Sequence, residues 1–562
     1  MSSAETRTRF LWPVVSLLAV VAYLYSVDGL YIPHIGDEAP YIEIARLTAE
    51  SGEWLPLRTA PGLENTKPPA LFWLGIVTTR WAESFTLFRL RFPIVVCTFL
   101  TAGLTFFVAR RLTRDLECGY IAGLTFLGFY SSYQYGRPFL TNLPETLFVF
   151  LAFALVLIGA ERRGESRGCY WLWVLVGVSL GVACLFKSFA LVAPIGLALT
   201  WSALVAQRFQ WPAFLRFDVP RILLASFVAL ACFAIWPALD PEPAEILRHF
   251  VLEENVGKLG GDGYLRGLFF GPYPLYRLWL GHLANAGLFA LPLVYLVVVS
   301  VRDRARMSVD EKRLWILVLS FLIVYSVPGQ RQENYLLPSV PALAVLISMR
   351  WRRIGSRWFR FFNLPAIAAL ALLIPLLVAM RDDVLPSGSY ASWQLALPVL
   401  ALAGWIAVTV RPSVAGYGFH ALVFATFLAV SGAIAPFEGS AGRFVPARVA
   451  ALVGRRVFVP ESFIRRHERH RFLLPGARIE SYDPMDTRAV TRLLEAGRIV
   501  VVHRGLGETG TGPFRVMARR LDLTSRHTPG EMWRIAFHQE VDLLVRQELV
   551  VRRFRQERER QP

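Results

Sequence analysis

Long apolar runs recur along the chain and are separated by short polar segments. Thirteen of these runs are close to the length of about 17–25 residues that crosses a ~30 Å hydrocarbon core as a helix. Segments this uniformly apolar favour helices, because a helix satisfies all of its backbone groups internally in lipid. The pattern therefore predicts an α-helical polytopic membrane protein with about 13 transmembrane helices. The runs cover residues 9–27, 90–109, 119–136, 143–160, 170–186, 189–206, 221–238, 277–301, 313–328, 334–349, 361–380, 392–410 and 417–436.

The positions of the basic residues predict the orientation. The first run lacks a clear small-residue cleavage site, so we expect an uncleaved first helix rather than a signal peptide. Arginines cluster in every second loop, at 110–114, 162–167, 302–313 and 350–360, whereas the intervening short loops carry about one basic residue each. This positive-inside pattern places the N-terminus in the cytoplasm and the C-terminus outside. The net charge of +18 follows from this topology and gives no reason to expect a nucleic-acid partner.

Three outside segments are long enough to carry more than a turn. We divide the chain into a transmembrane domain, 1–437, with extracytoplasmic loops at 28–89 and 239–276, and an extracytoplasmic domain, 438–562. Within the first loop, the stretches EAPYIEIARLTAE and ALFWLGIVTTRWAESF each have one apolar helical face, which predicts two interfacial helices.

The tail differs in composition from the rest of the chain. Strand-like RRVFVP, ARIESYD and RIVVVH alternate with helix-like ESFIRRHERHRF and MDTRAVTRLLEAG, which predicts a small α/β domain. The last residues, VVRRFRQERERQP, have the composition of a solvated, frayed end.

Two sequence features argue against cofactor and metal chemistry. Gly505, Gly507 and Gly510 match a dinucleotide-binding fingerprint, but Thr-Gly-Pro follows where that motif needs the start of a helix. We expect a flexible turn there and no cofactor. The five cysteines all fall in predicted helices or inner loops, without the spacing of a disulfide framework or a metal site.

Lysine usage indicates an anion site on the outside face. Only four of the 60 basic residues are lysines, and three of these, Lys67, Lys187 and Lys258, fall in predicted outside positions. A compact ammonium group binds phosphate as a point charge, unlike the planar fork of arginine. The alternative is that these three lysines lie in solvent-exposed loops by chance and have no functional role.

Carboxylates and further polar groups also gather outside. Asp37 and Glu38 follow the first helix directly, where an ordinary wet loop is the alternative. Lys67 precedes two prolines that predict a helix start at Ala70, and a helix N-terminus attracts anions. Glu145, at the outer mouth of the fourth crossing, is either reactive or a partner of the helix dipole. Tyr335 is either a headgroup ligand or an interface aromatic residue.

The segments carrying these residues, taken in order, resemble a known superfamily. It comprises the glycosyltransferases that use polyprenyl-phosphate sugars and have the multi-spanning GT-C fold, including the aminoarabinose transferases and the protein O-mannosyltransferases. The resemblance covers residues 8 to 440, and the outside tail is most similar to the aminoarabinose branch. It rests on GDEAPYIEIARLTAESGEWLPL, NTKPPALFWL, RPFLTNLPETLFVFLAF, FKSFALVAPIGLAL, FVLEENVGKLG and QRQENYLLPSVPALA.

The resemblance implies a reaction and roles for these residues. The sugar of a polyprenyl-phosphate donor would be attacked directly at its anomeric carbon, with inversion, while the lipid phosphate leaves. Asp37 matches the catalytic aspartate, which accepts a proton from the acceptor oxygen or orients it; Glu38 and Glu145 are further catalytic candidates. The residues expected to bind the donor phosphate or lipid are Arg58, Lys67, Lys187, Lys258, Arg331 and Tyr335.

This chain departs from the family pattern at three positions. Thr66 stands where many relatives have glutamate, and Asn255, followed by Lys258, where many have histidine and arginine. Because that glutamate and histidine can form a metal site in relatives, we expect no metal there. Asn142 replaces a frequent aspartate.

The residues leave the acceptor and, in part, the function class open. We expect an enzyme of the bacterial inner membrane, with its active site and tail in the periplasm, that modifies lipid A or another envelope glycolipid. A protein hydroxyl is the alternative acceptor. A transporter or flippase would need paired charges at mid-membrane, which the apolar runs lack, and a structural or assembly protein is the third alternative.

Overall fold

Helices dominate the chain, as the apolar runs predict. The computed structural model describes residues 3–31, 37–59, 67–159, 170–246, 248–250, 264–411, 415–461, 466–506, 508, 514–524 and 527–554. Each of the thirteen apolar runs carries a helix. Among the described residues, eight helical segments are long and apolar enough to cross a membrane, and three shorter apolar helices accompany them. The polytopic helical fold is confirmed, while the number of thirteen crossings stays a prediction.

Some of the helices begin at residues whose side chains cap the first turn. The Ser308 and Glu311 side chains each bind the other's backbone N–H at the start of Val309–Ser326, which satisfies two amides that lack helical partners. The helices of the transmembrane region are Ser3–Leu24, Glu38–Ser51, Ala70–Thr78, Leu87–Thr113, Leu116–Gly128, Tyr130–Tyr135, Asn142–Gly159, Tyr170–Phe186, Val192–Ala206, Val219–Leu239, Tyr264–Phe269, Leu275–Trp279, Gly281–Ala286, Ala290–Arg302, Val309–Ser326, Glu333–Ser339 (a 3₁₀ helix), Val340–Trp351, Ser356–Phe362, Leu364–Ala379, Ser392–Val410 and Ala415–Glu438.

The chain forms two compact units, of which the first comprises residues 1–24, 44–365 and 407–424. Small residues set its tightest helix packing. A Cβ atom at Gly177 would lie 2.7 Å from the Ala225 carbonyl oxygen, and one at Gly181 would lie 3.1 Å from that of Ala229. Two glycines four residues apart therefore let the helix Tyr170–Phe186 approach the backbone of Val219–Leu239, as small residues do between membrane helices.

The second unit comprises residues 25–43, 366–406 and 425–562 and contains a five-stranded mixed sheet. Its strands are β1 (Arg456–Pro460), β2 (Arg478–Tyr482), β3 (Ile499–Arg504), β4 (Phe514–Leu523) and β5 (Val545–Arg553), in the order β2-β1-β3-β5-β4. The strand β1 pairs in parallel with β2 and β3, whereas β5 runs antiparallel to β3 and β4. Helices of this domain are Pro446–Ala450, His470–Leu473, Ala489–Glu495 and Pro529–His538.

The small C-terminal α/β domain is confirmed, and one detail of its expected end is wrong. The first three predicted strands correspond to β1, β2 and β3. The start of the last segment, expected to be solvated, instead lies in β5, where Val550 and Val551 are fully buried. The pairing of β5 with strands on both sides removes these valines from water. The proposed domain boundary at 437/438 stays a prediction.

The turn after β3 leads to another strand rather than to the helix of a dinucleotide site. Gly505 follows β3, and the next described element is β4. Gly507 and Gly510 lie outside the described residues. The described part of this segment therefore gives no βαβ unit at the glycine motif, in keeping with the interpretation as a turn.

Candidate active site

The two adjacent carboxylates of the first outside loop have different environments. The predicted helix EAPYIEIARLTAE is present as Glu38–Ser51, and Asp37 is the residue directly before it. Asp37 is exposed, and its carbonyl oxygen accepts a hydrogen bond from the Tyr41 N–H at 3.4 Å. Glu38 is only 3% exposed, in the first turn, where a negative charge suits the helix dipole. Asp37 is therefore the carboxylate open to a substrate.

Leu30 and Tyr31, which precede Asp37 in the first outside loop, are held by contacts within the second unit. The Glu438 carboxylate accepts the N–H groups of Leu30 and Tyr31 at 2.5 and 2.6 Å. The Tyr31 hydroxyl donates to Asp522 at 2.6 Å and accepts from Arg520 at 2.6 Å. These contacts could not be predicted from the sequence, because they join residues about 400 or more positions apart and no local pattern relates them.

The second interfacial helix begins where the prolines predict. It spans Ala70–Thr78 with Pro69 at its N-cap, and the half-buried Lys67 lies two residues before that cap. The helix is shorter than the apolar stretch suggested, because Arg80, Trp81 and Ala82 adopt positive φ and turn the chain. An ammonium group beside a helix N-terminus is a favourable setting for a phosphate.

Arg58 makes a surface ion pair. Its guanidinium donates to Glu53 at 2.8 Å, and the two side chains are 49% and 55% exposed. Its backbone N–H donates to the Thr48 hydroxyl at 2.8 Å. A pair this exposed contributes little to stability, so Arg58 can exchange its partner for a ligand at small cost.

Glu145, Lys187 and Tyr335 meet within the first unit. Lys187 Nζ lies 2.9 Å from Glu145 Oε2, with Glu145 1% and Lys187 23% exposed. The same ammonium lies 5.2 Å from the centroid of the Tyr335 ring, within cation–π range. Three segments that are far apart in sequence therefore converge on one partly open ammonium group, with a buried carboxylate on one side and an aromatic ring on another.

This convergence changes the role expected of Glu145. A buried carboxylate 2.9 Å from an ammonium group is placed to hold Lys187 in position. Tyr325 joins the cluster, with its ring 5.3 Å from that of Tyr335. No sequence pattern indicated Tyr325, which lies on the apolar helix Val309–Ser326.

Arg331 is turned inward. Its side chain is 1% exposed, and it donates to the carbonyl oxygens of Ser326 at 2.9 Å and of Tyr273 at 3.1 Å. It also lies over the Tyr264 ring at 5.3 Å. One terminal nitrogen, Nη2, has no hydrogen-bond partner among the described residues. Arg331 therefore ties two loops together and offers at most that nitrogen to a ligand. Lys258, Thr66 and Asn255 lie outside the described residues.

One family model and several relatives match this chain. The family described as dolichyl-phosphate-mannose-protein mannosyltransferase matches residues 17–240. Two relatives are undecaprenyl phosphate-α-4-amino-4-deoxy-L-arabinose arabinosyl transferases. That of Edwardsiella ictaluri is 27% identical over 60% of this chain and 58% of its own length. That of Sodalis glossinidius is 26% identical over 81% of this chain and 78% of its own length.

A solved structure shares the fold along nearly the entire chain. It is ArnT from Cupriavidus metallidurans bound to undecaprenyl phosphate. It aligns with a TM-score of 0.64 over 98% of each chain, at 16% identity. The apo structure of the same protein aligns with a TM-score of 0.62, over 89% of this chain and 93% of that one. At this identity the likeness concerns the fold.

Proposed function

We propose that this chain, a membrane glycosyltransferase of the GT-C superfamily that includes the aminoarabinose transferases and protein O-mannosyltransferases, moves a sugar from undecaprenyl phosphate to lipid A. A 4-amino-4-deoxy-L-arabinose-type sugar is the donor group we favour, because the relatives named above carry that name. We place the reaction on the periplasmic side of the inner membrane, in keeping with the distribution of arginines between the loops.

The observation that carries the proposal is the ammonium cluster of the first unit. Lys187 is paired with Glu145 and faces Tyr335, and all three residues lie in motifs on which the resemblance to this superfamily rests. A positive group held in a partly dry site stabilises the charge that develops on a departing phosphate. This arrangement fits a phosphate leaving group better than it fits a transport path, which needs charged residues along the membrane interior.

The proposed step is a single displacement. The acceptor oxygen forms a bond to the anomeric carbon as the bond from that carbon to the lipid phosphate oxygen breaks. Undecaprenyl phosphate leaves with the electron pair, and the configuration inverts. Asp37, the exposed carboxylate at the start of its helix, orients the acceptor oxygen or takes its proton. Lys67, matched to the family lysine, and Lys187 bind the phosphate.

A reconstituted assay tests both roles. The purified protein in liposomes receives undecaprenyl-phosphate aminoarabinose and lipid A, and mass spectrometry follows the modified lipid A. Asp37→Asn should lower kcat by about 10²–10⁴-fold, the range typical of a general base, while donor affinity stays unchanged. Lys67→Ala should instead weaken donor binding.

Asp382→Asn serves as the control variant. It removes an exposed carboxylate that pairs with its neighbour Arg381, and it should transfer the sugar at the wild-type rate. Undiminished transfer by Asp37→Asn would remove that residue from the chemistry. If the wild type modified a peptide hydroxyl and left lipid A untouched, the acceptor proposal would fail and the protein O-glycosylation alternative would replace it.

A further inference from the structure

Three buried metal-ligating side chains converge in the second unit, apart from the residues discussed so far. Glu43 lies on the helix Glu38–Ser51, and His467 and Glu468 lie on the 3₁₀ helix Arg466–Arg469. Their exposed fractions are 5%, 5% and 1%. One ligand atom from each lies within 4.8 Å of those of the other two.

The spacing of these atoms is too wide for hydrogen bonds. His467 Nε2 lies 3.8 Å from Glu43 Oε1 and 3.9 Å from Glu468 Oε1. A protonated histidine bound to carboxylates would draw the atoms to about 2.7–2.9 Å. Two ligands on one tetrahedral Zn²⁺, each at about 2.0–2.2 Å, lie about 3.4 Å apart. The two distances from His467 Nε2, 3.8 and 3.9 Å, are within about half an ångström of this ligand–ligand distance.

The surroundings orient the ligands toward a common point. Arg471 Nε donates to Glu468 Oε2 at 2.9 Å, so the other oxygen, Oε1, is the one directed at His467. His467 presents Nε2, rather than Nδ1, to both carboxylates. A carboxylate fixed by an outer arginine and an imidazole directed at two carboxylates are features of metal sites, where outer contacts hold the ligands.

We propose that Glu43, His467 and Glu468 bind a divalent transition-metal ion, with Zn²⁺ the best match. One imidazole nitrogen and two carboxylate oxygens are ligands that Zn²⁺ accepts readily, and a water molecule completes four-coordination. Mg²⁺ and Ca²⁺ are poorer matches, because they favour oxygen-only sites. These residues are distinct from Thr66 and Asn255, which stand at the positions where the family resemblance would imply a metal site.

The ion would have a mechanical consequence. Glu43 lies six residues after Asp37, about 9 Å along a helix that rises 1.5 Å per residue. A metal bond from Glu43 to His467 and Glu468 would join the start of this helix to the C-terminal domain. The site would then hold Asp37 indirectly, but the metal proposal does not depend on the proposed glycosyl transfer.

Metal content tests the proposal directly. The full-length protein in detergent is stripped with a chelator, equilibrated with ZnCl₂, gel-filtered and analysed by plasma mass spectrometry. We expect about one zinc per chain in the wild type and at least a tenfold lower content in His467→Ala and Glu468→Gln. The exposed His538→Ala and Glu495→Gln are matched controls in the same domain and should keep the wild-type content.

A second measurement avoids dependence on variants that fail to fold. Zn²⁺ should raise the thermal unfolding temperature of the stripped wild-type protein in proportion to the logarithm of its concentration, as expected for a ligand that binds only the folded state. A wild type that retains no zinc and shows no thermal shift would overturn the proposal. Folded His467→Ala that keeps a full zinc complement would also overturn it.

Discussion

The ion pair between Glu145 and Lys187 predicts a large coupling energy that a double-mutant cycle can measure. The perturbations are Glu145→Gln, Lys187→Met and both together, since each replacement keeps the approximate shape of the side chain and removes its charge. The atoms lie 2.9 Å apart, and Glu145 is 1% exposed. Removing one member of a buried pair leaves the other charge without compensation, which typically costs about 3–5 kcal/mol.

The structure predicts that the two single losses are unequal. At an effective dielectric constant of ~20, charges 2.9 Å apart attract by about 6 kcal/mol before desolvation is subtracted. After Glu145→Gln, Lys187 is still 23% exposed and faces the Tyr335 ring, so we expect a loss of about 2 kcal/mol. After Lys187→Met, Glu145 has no other hydrogen-bond partner among the described residues.

The loss in Lys187→Met should therefore be the larger of the two, at about 3–5 kcal/mol, because the buried Glu145 is left without its counter-charge.

Unfolding in mixed detergent micelles gives the four stabilities, and a second pair in the same unit serves as the control. Arg58 and Glu53 are equally close, at 2.8 Å, but about half exposed. Their cycle, with Glu53→Gln and Arg58→Met, should give a coupling below about 1 kcal/mol. We expect at least about 2 kcal/mol for Glu145 and Lys187. Equal coupling in the two cycles would refute the argument that burial makes this pair strong.

Two further predictions concern the second unit. Burial opposes ionisation of Glu548, but the nearby Arg520 and His470 outweigh burial and hold the pKa of Glu548 well below its ordinary value. The ionised Glu548 therefore stabilises the folded protein fully above about pH 4.3, and this stabilisation is lost as the pH falls further. The loss should appear as weaker protection of the β5 amides against hydrogen exchange on acidification. In Glu548→Gln, the contribution of this residue to the pH dependence of that protection should be absent. Gly29→Ala would place a Cβ atom 2.5 Å from Glu438 Cδ. The variant should lose about 1–3 kcal/mol of stability in thermal unfolding, since displacing that carboxylate leaves buried N–H groups unpaired. The control Gly530→Ala, whose Cβ atom would have no atom within 4 Å, should be neutral.

Local signals in the sequence were enough to predict the helices of the apolar runs and three of the five strands. Apolar runs near the length of a bilayer span became helices, because backbone groups in such segments have few other partners. The two prolines after Lys67 predicted the helix start at Ala70, since proline suits a first turn and lacks the N–H that would be unpaired there. Three strands of the tail followed from short β-branched runs between polar breaks. In each case the residues that decide the structure are neighbours in the chain.

Partners of buried charges could not be predicted in the same way. Nothing near Glu548 indicates a buried residue, because it stands in the arginine-rich segment RQELVVRR. It is fully buried and lies beside Arg520, from β4, and His470, from the helix His470–Leu473. Glu145 was predicted to be either reactive or a partner of the helix dipole, and neither interpretation indicated its pairing with a lysine 42 residues later. A carboxylate's burial depends on where its counter-charge folds, and spacing along the chain does not encode that position.

Buried charges that pair across the sequence also connect the tail to the first outside loop. A loop that carries an exposed carboxylate gains precision only if its backbone is fixed by groups that cannot relax. Glu438 satisfies two consecutive amides of that loop with one carboxylate, and Gly29 leaves the space for it. Tyr31 then joins the loop to Arg520 and Asp522, both part of the sheet. Glu438 and the C-terminal sheet therefore support Leu30 and Tyr31, in the same outside loop as Asp37, and a variant that loosens this sheet should impair the proposed transfer without altering any residue assigned to bind substrate.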